Sequence, residues 1–296
     1  MKTRSAKPFV KWVGGKTRLL DEVKKTLPCD LCLKKSFTYV ESFVGGGAVL
    51  FYMLQEYPNM ERVVINDINS ELMCTYRIIR DDVHSLIDCL EQLQCEYIEL
   101  DDEGRKAFFV EKRSLFNRHC VSDVEIAALF IFLNKTCFNG LYRVNSKGEF
   151  NVPHGKYANP TICDKENLLA VSSLLQRVEI LCGDFSITEQ FAGVDVVYYL
   201  DPPYKPITHT SSFTSYAKEG FDDAEQLRLR DFCERISNKG AQFIVSNSDP
   251  KEESGDSFFE QIYYSFRIKR VSAPRFVNAN PQNRGLVSEV MISNVY

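Results

Sequence analysis

No stretch of this sequence stays apolar over the roughly 20 residues that a membrane-spanning helix needs. The opening "MKTRSAKPFVKW" lacks the apolar core of a secretory leader. Both absences lead to the expectation of a cytosolic protein. The ten cysteines show none of the close paired spacing of a zinc site. Free thiols in a reducing compartment are therefore expected, often buried, and no metal centre. Internal repeats and low-complexity tracts are missing as well.

Two phosphate-binding signatures are present only in part. "GKT" at 15–17 resembles the end of a P-loop, but the glycine required five residues earlier is replaced by Val10. The preceding "SAKPFV" is also a poor strand. "FVGGGAVLF" begins like a dinucleotide fingerprint. With Gly45 and Gly47 as its first two glycines, the third place falls on Leu50. A P-loop nucleotide hydrolase and a nicotinamide enzyme are both disfavoured.

The 296 residues, 44% hydrophobic and 26% charged, suit one large globular domain or two smaller ones. The net charge of −4 speaks weakly against a nucleic-acid partner, but its distribution speaks for one. Lys2, Arg4, Lys7, Lys11, Lys16 and Arg18 crowd the first 18 residues with no acid among them. Residues 81–103 carry only acids among their Asp, Glu, Lys and Arg. One basic face for a polyanion and one solvated acidic face would follow.

Strand signals stand at 37–43, 62–67, 177–182, 194–200, 241–246, 266–271 and 286–295, and helical patterns dominate from 68 to 136. Within 138–157 two alternating segments flank "NSKG", a hairpin signature. The expected fold is α/β, with a helical and hairpin insertion. The glycine turn after the first strand lets backbone pass close to a ligand. Asp67, closing the second strand, stands where ribose hydroxyls would be accepted. An adenosine ligand without a pyrophosphate would fit. "DPPY" at 201–204 follows the apolar run "VDVVYYL". Two prolines stop any ladder there and hold a carboxylate at a strand's end.

Taken in order, "PFVKWVGGKTRLL", "FVGGG", "FNGLYRVNSKGEFNVPHGKY" and "DPPY" resemble the Dam-type DNA adenine-N6 methyltransferases across nearly the whole chain. The resemblance implies a Rossmann-like methyltransferase sheet with helices on both faces. Residues 1–69 and 160–296 would form the catalytic domain, and 70–159 an inserted target-recognition domain. It implies S-adenosylmethionine as methyl donor, held by Trp12, Lys16, Phe43, Gly45, Gly47, Asp67, Asp184, Phe185 and Asp201. Asp201, Pro202, Pro203 and Tyr204 would surround the target adenine, and no metal is implied.

The exocyclic amine of adenine is a poor nucleophile, because its lone pair is delocalised into the ring. Acceptors at the Asp201 carboxylate and the Pro202 carbonyl would take its two N–H bonds and free that pair. Tyr204 would stack on the base, which must be flipped from the duplex to reach the site. By resemblance, Lys11 and Arg143 would read guanines in GATC, and Leu141 and Pro153 would meet a thymine methyl. Phe138 would wedge where the base leaves, and Asn139, Asn145, Lys156 and Tyr157 complete the DNA-contacting set. The basic segment around them also holds Tyr142 and Phe150, expected to add an aromatic shoulder for stacking. A polar loop at 207–221 is expected to meet phosphates, and the loop 272–285 has no assigned role. Double-stranded DNA is the expected partner, with a cognate GATC restriction endonuclease in a restriction-modification setting. The rival readings are a methyltransferase for RNA adenine or protein glutamine, and a catalytically idle DNA-binding regulator.

Overall fold

The computed structural model describes residues 5–12, 14–16, 19–205, 221–251, 255–274 and 286–295. Residues 207–220 and 275–285 of the two loops singled out in the sequence lie outside the described residues. The chain is a mixed α/β protein with a Rossmann-like sheet, and a strand overlaps each expected strand segment. It divides into two compact units. The first comprises Met1–Gly15, Gly45–Glu56 and Asp67–Gly183, and the second Lys16–Val44, Tyr57–Asn66 and Asp184–Tyr296.

The second unit carries β1 (Phe37–Glu41), β2 (Met60–Ile65), β4 (Val196–Leu200), β5 (Gln242–Ser248), β6 (Arg267–Pro274) and β7 (Leu286–Ser293), with helices α1 (Leu20–Thr26) and α8 (Asp223–Asn238). Their order across the sheet is β2-β1-β4-β5-β7-β6. The pairs β1–β2, β1–β4 and β4–β5 are parallel, with Val40 opposite Val64 and Tyr39 opposite Val197. Strand β7 runs antiparallel to both β5 and β6. All five residues of β4, "VVYYL", are buried. A continuous apolar run of this kind belongs to a strand covered on both faces. From β1 the chain proceeds to β2 on one side, and β4 occupies the other. This is a topological switch point, where α/β sheets bind ligands at the strands' carboxyl ends. Glu41 and Leu200 are the last residues of the two strands that flank it.

The first unit is mostly helical: α2 (Ala48–Glu56), α3 (Ser70–Asp81), α4 (Val83–Glu99), α5 (Asp102–Arg118), α6 (Asp123–Thr136) and α7 (Lys165–Leu175), with the short β3 (Val178–Ile180). Every residue of α6 from Ile126 to Asn134 is buried, and α3, α4 and α5 pack on it. A helix apolar on all sides must be enclosed in this way. Ser122 and Glu125 close its start in a reciprocal capping box, a device worth about 1 kcal/mol. Asn69, Asp82 and Asp101 cap α3, α4 and α5. The acids of 81–103 other than Glu91 are exposed, which gives the solvated acidic face that their clustering predicts. All ten cysteines are free thiols, but against expectation only Cys137 and Cys233 are buried.

The expected hairpin is reduced to a turn. Gly148 N donates to the Asn145 carbonyl and Asn145 N to the Glu149 carbonyl, both at 2.9 Å. Beyond them only two isolated bridges form, Val144 with Phe150 and Cys137 with His154. Pro153 has no N–H to give a ladder, and Asn139 and Lys156, both at φ 56°, bend the two arms out of extended geometry.

Candidate active site

In the first unit the glycine turn is locked from three directions. Gly45 and Gly47 take φ of 47° and 74°, a region that favours glycine. A Cβ on Gly45 would lie 2.7 Å from Trp12, and one on Gly47 2.5 Å from the Tyr76 hydroxyl. That hydroxyl donates to the Gly45 carbonyl at 3.0 Å. Asp67 accepts from Gly45 N through Oδ2 and from Asn69 N through Oδ1, each at 3.0 Å. Burial pushes its pKa up, against the backbone N–H groups of Asn69, Gly45 and Ile68. Each oxygen keeps a lone pair for a further donor such as a hydroxyl. Next to it, Ile68 is 62% exposed, a large aliphatic side chain at a strand's end.

The same unit holds the residues expected to read DNA. Asn134, buried at the end of α6, accepts from Lys11 N at 2.8 Å and donates to the carbonyls of Lys11 and Gly140. Gly140 has room only for hydrogen, since a Cβ would meet Lys11 Cδ at 2.5 Å. The Lys11 ammonium lies 5.2 Å from the centre of the Tyr157 ring. Tyr157 in turn accepts from Asn139 N through its hydroxyl at 3.1 Å. Phe138 N donates to the Pro153 carbonyl at 2.9 Å, and its ring is 51% exposed. Arg143 and Pro153 are exposed, and Arg143 Nε donates to Asn151 Oδ1 at 2.8 Å. Leu141 and Asn145 are half-buried, and Lys156 is exposed. Tyr142 and Phe150 are not an exposed shoulder. Tyr142 stacks on Trp12 at 5.7 Å and packs on Phe130 and Phe150, and both are buried core.

In the second unit, Asp201 follows β4 directly. Lys16 Nζ lies 2.8 Å from Asp201 Oδ1. The contact is an ion pair at a buried oxygen. The same ammonium sits 4.4 Å from the centre of the Tyr204 ring. Lys16 is only 4% exposed, so it is no part of a basic surface as its place in the N-terminal cluster predicts. Burial pushes the Asp201 carboxyl up to about 6; Lys16 opposes the rise and Glu289 adds to it. Tyr204 donates its hydroxyl to Glu289 on β7.

A chain of buried amides holds the turn. Gln226 Nε2 donates to the Pro203 carbonyl at 3.2 Å, and Asn247 Nδ2 to Gln226 Oε1 at 3.2 Å. Asn247 Oδ1 accepts from Lys205 N at 3.0 Å, and Ser248 Oγ donates to the Lys205 carbonyl at 2.7 Å. Among the described residues the Pro202 carbonyl accepts no hydrogen bond. Elsewhere in this unit Phe43 packs on Phe185 and Phe221, with ring centres 5.3 and 5.9 Å away. Asp184 is bound by Arg228 and Ser186.

Residues 12–276 match the family model of the D12 class N6 adenine-specific DNA methyltransferases. The chain belongs to that family. It is 47% identical over 292 residues to the type II methyltransferase M.MjaIII of Methanocaldococcus jannaschii, covering 97% of this chain and 99% of that one. With the type II methyltransferase M1.LlaDCHI of Lactococcus lactis it shares 36% over 293 residues, 97% and 95% of the two chains. With the DNA adenine methylase of Haemophilus influenzae it shares 36% over 287 residues, 96% and 92%. This methyltransferase therefore uses S-adenosylmethionine as its donor and DNA adenine as its acceptor.

Asp67 in the first unit and Asp184 in the second each keep acceptor capacity that a hydroxyl or amino group of a nucleoside suits, and Ile68 beside Asp67 exposes apolar surface. Sequence reasoning misses Gln226, Asn247 and Glu289. Asn247 leaves a signal: β5 runs past "AQFIV" into "SNSD", four polar residues that are all buried. Buried polar residues at the carboxyl end of a parallel strand mark a site. Gln226 and Glu289 sit in ordinary helix and strand patterns and leave none.

Proposed function

We propose that this methyltransferase methylates N6 of the adenine in GATC within duplex DNA, on a base flipped from the helix, by direct in-line transfer. The observation that carries the reading is the acceptor pair at the end of β4. The Asp201 carboxylate is ionised above about pH 6, and the Pro202 carbonyl has no competing hydrogen bond among the described residues. Together they suit the two N–H bonds of an exocyclic amine. Drawing on both hydrogens localises the nitrogen lone pair and stabilises the positive charge that grows on N6. Tyr204, steadied by Glu289, supplies the stacking face. Lys16 opposes the Asp201 charge at rest and keeps the carboxylate oriented.

Trp12, Lys16, Phe43, Gly45, Gly47, Asp67, Asp184, Phe185 and Asp201 would hold the donor. When bound, S-adenosylmethionine supplies an electrophilic sulfonium methyl group. Residues 70–159 serve target recognition, and 1–69 with 160–296 serve catalysis. Lys11, Phe138, Asn139, Leu141, Arg143, Asn145, Pro153, Lys156 and Tyr157 carry the DNA contacts, with exposed Arg143 suited to a guanine edge. Relatives named type II methyltransferases support the reading that a GATC endonuclease accompanies the enzyme. No helix among the described residues is long and apolar enough to cross a membrane, and the site of action is read as the cytoplasm.

Expression in a methylation-free host tests the reading. Its DNA should resist a methyl-sensitive GATC nuclease and be cut by a methyl-dependent one. Methyl groups found on adenine only outside GATC would sink the specificity, and their absence from all adenine would sink the reading entirely.

A further inference from the structure

Arg228 on α8 is fixed from two edges. Glu225, one turn earlier, accepts from Nε at 3.1 Å and from Nη2 at 2.6 Å. Asp184 takes the neighbouring edge, Oδ1 from Nη1 at 2.9 Å and Oδ2 from Nη2 at 2.6 Å. The guanidinium also lies 4.3 Å from the centre of the Phe185 ring. Asp184 Oδ1 further accepts from Ser186 N at 3.0 Å and from Ser186 Oγ at 2.5 Å. Three donors therefore fill Oδ1, and one meets Oδ2.

The arrangement is more than an ion pair on the surface needs. The side chains of Arg228 and Asp184 are 41% and 37% exposed, and pairs this open add little stability. Its chemical effect is sharper. The Arg228 guanidinium, with help from Ser186 and against burial, holds the Asp184 carboxyl well below the usual carboxylate range. Such a carboxylate only accepts. Its less filled oxygen, Oδ2, would take an N–H of a purine 6-amino group and repel a 6-oxo group.

We propose that Arg228 is a specificity-determining positioning residue for the methyl donor, fixing Asp184 so that the carboxylate selects the 6-amino group of the donor's adenine. The inference rests on the reading that Asp184 meets that adenine. Lysine cannot replace the fork, because one ammonium cannot span both Asp184 oxygens and Glu225 at once.

Titration calorimetry on the full-length enzyme tests it, with S-adenosylhomocysteine and its 6-oxo counterpart S-inosylhomocysteine as probes. The wild type should favour the 6-amino compound by about tenfold or more, as expected when one probe leaves a polar group unpaired. Arg228→Met should lose most of that preference through weaker 6-amino binding, with Arg228→Lys in between. DNA affinity and melting temperature should stay near wild type. If the wild type discriminates and Arg228→Met does so equally, the role of Arg228 is refuted while Asp184 keeps its own. If the wild type shows no preference, the assignment of Asp184 to the adenine falls, and this inference with it.

Discussion

Between Asn134 and Tyr157 the chain makes two isolated bridges and carries two non-glycine residues at positive φ. Between Asp201 and Lys205 it makes no regular structure either, yet the two segments are held differently. The first is tied at intervals, by Asn134, Asn117 and the Tyr157 hydroxyl, and leaves Phe138, Arg143 and Lys156 exposed. The second is gripped through buried amides, with Asn247 and Gln226 almost fully enclosed. Reading a groove needs long side chains that reach and adapt, on a backbone pinned only where it turns. Activating an amine needs two acceptors that do not move, because preorganisation is what makes such groups effective.

The sharpest break in that contrast is Asp201→Ala. Removing a preorganised group should lower the single-turnover rate by roughly 10²–10³-fold, with DNA affinity little changed. A rate near wild type would remove Asp201 from the chemistry. Next comes pH. The Asp201 carboxyl is raised to about 6, so its ionised form is lost as pH falls through that value. The kcat/KM for DNA should drop about tenfold per unit below it and level off above. A profile flat from pH 5 to 8 would mean that the charge on Asp201 is immaterial.

On the recognition side effects should be smaller and selective. Arg143→Ala should cost about 1–3 kcal/mol at one base pair and relax preference there. An equal loss on every sequence, measured on GATC and its single-base variants, would recast Arg143 as a phosphate contact. Phe138→Ala should leave donor binding intact and reduce only the fluorescence gain of a 2-aminopurine at the target position. An unchanged gain would assign the opening of the duplex to another residue.

Much of this is legible in the sequence. The apolar runs that become β1, β4 and β5 have no competing pattern, and two prolines after an apolar run leave little but a rigid strand end. Asp67 and the glycine turn follow from strand–turn logic. Tyr142 and Phe150 depart from the expected exposed shoulder because alternation in a short basic segment does not say which face is covered. The cover is Trp12, Phe116 and Phe130, and Trp12 lies more than a hundred residues away in sequence. Lys16 leaves the expected basic surface for a similar reason: its partner Asp201 is distant in sequence, and local charge counts cannot see it. Arg228 and Glu289 find Asp184 and Tyr204 far away in sequence, pairings that no local pattern announces.

Strand β7 has a consequence for how this enzyme assembles. It is the last strand in sequence among the described residues, yet it lies between β5 and β6, and among those residues β6 pairs with the sheet only through it. A growing chain therefore cannot lay β6 in its final place until β7 arrives. Glu289, the partner of the Tyr204 hydroxyl, comes with that same strand. Such late, long-range pairing is slow. Pulse-labelled hydrogen exchange during refolding should find β6 amides protected no earlier than those of β7, and the active site completed among the last events of folding.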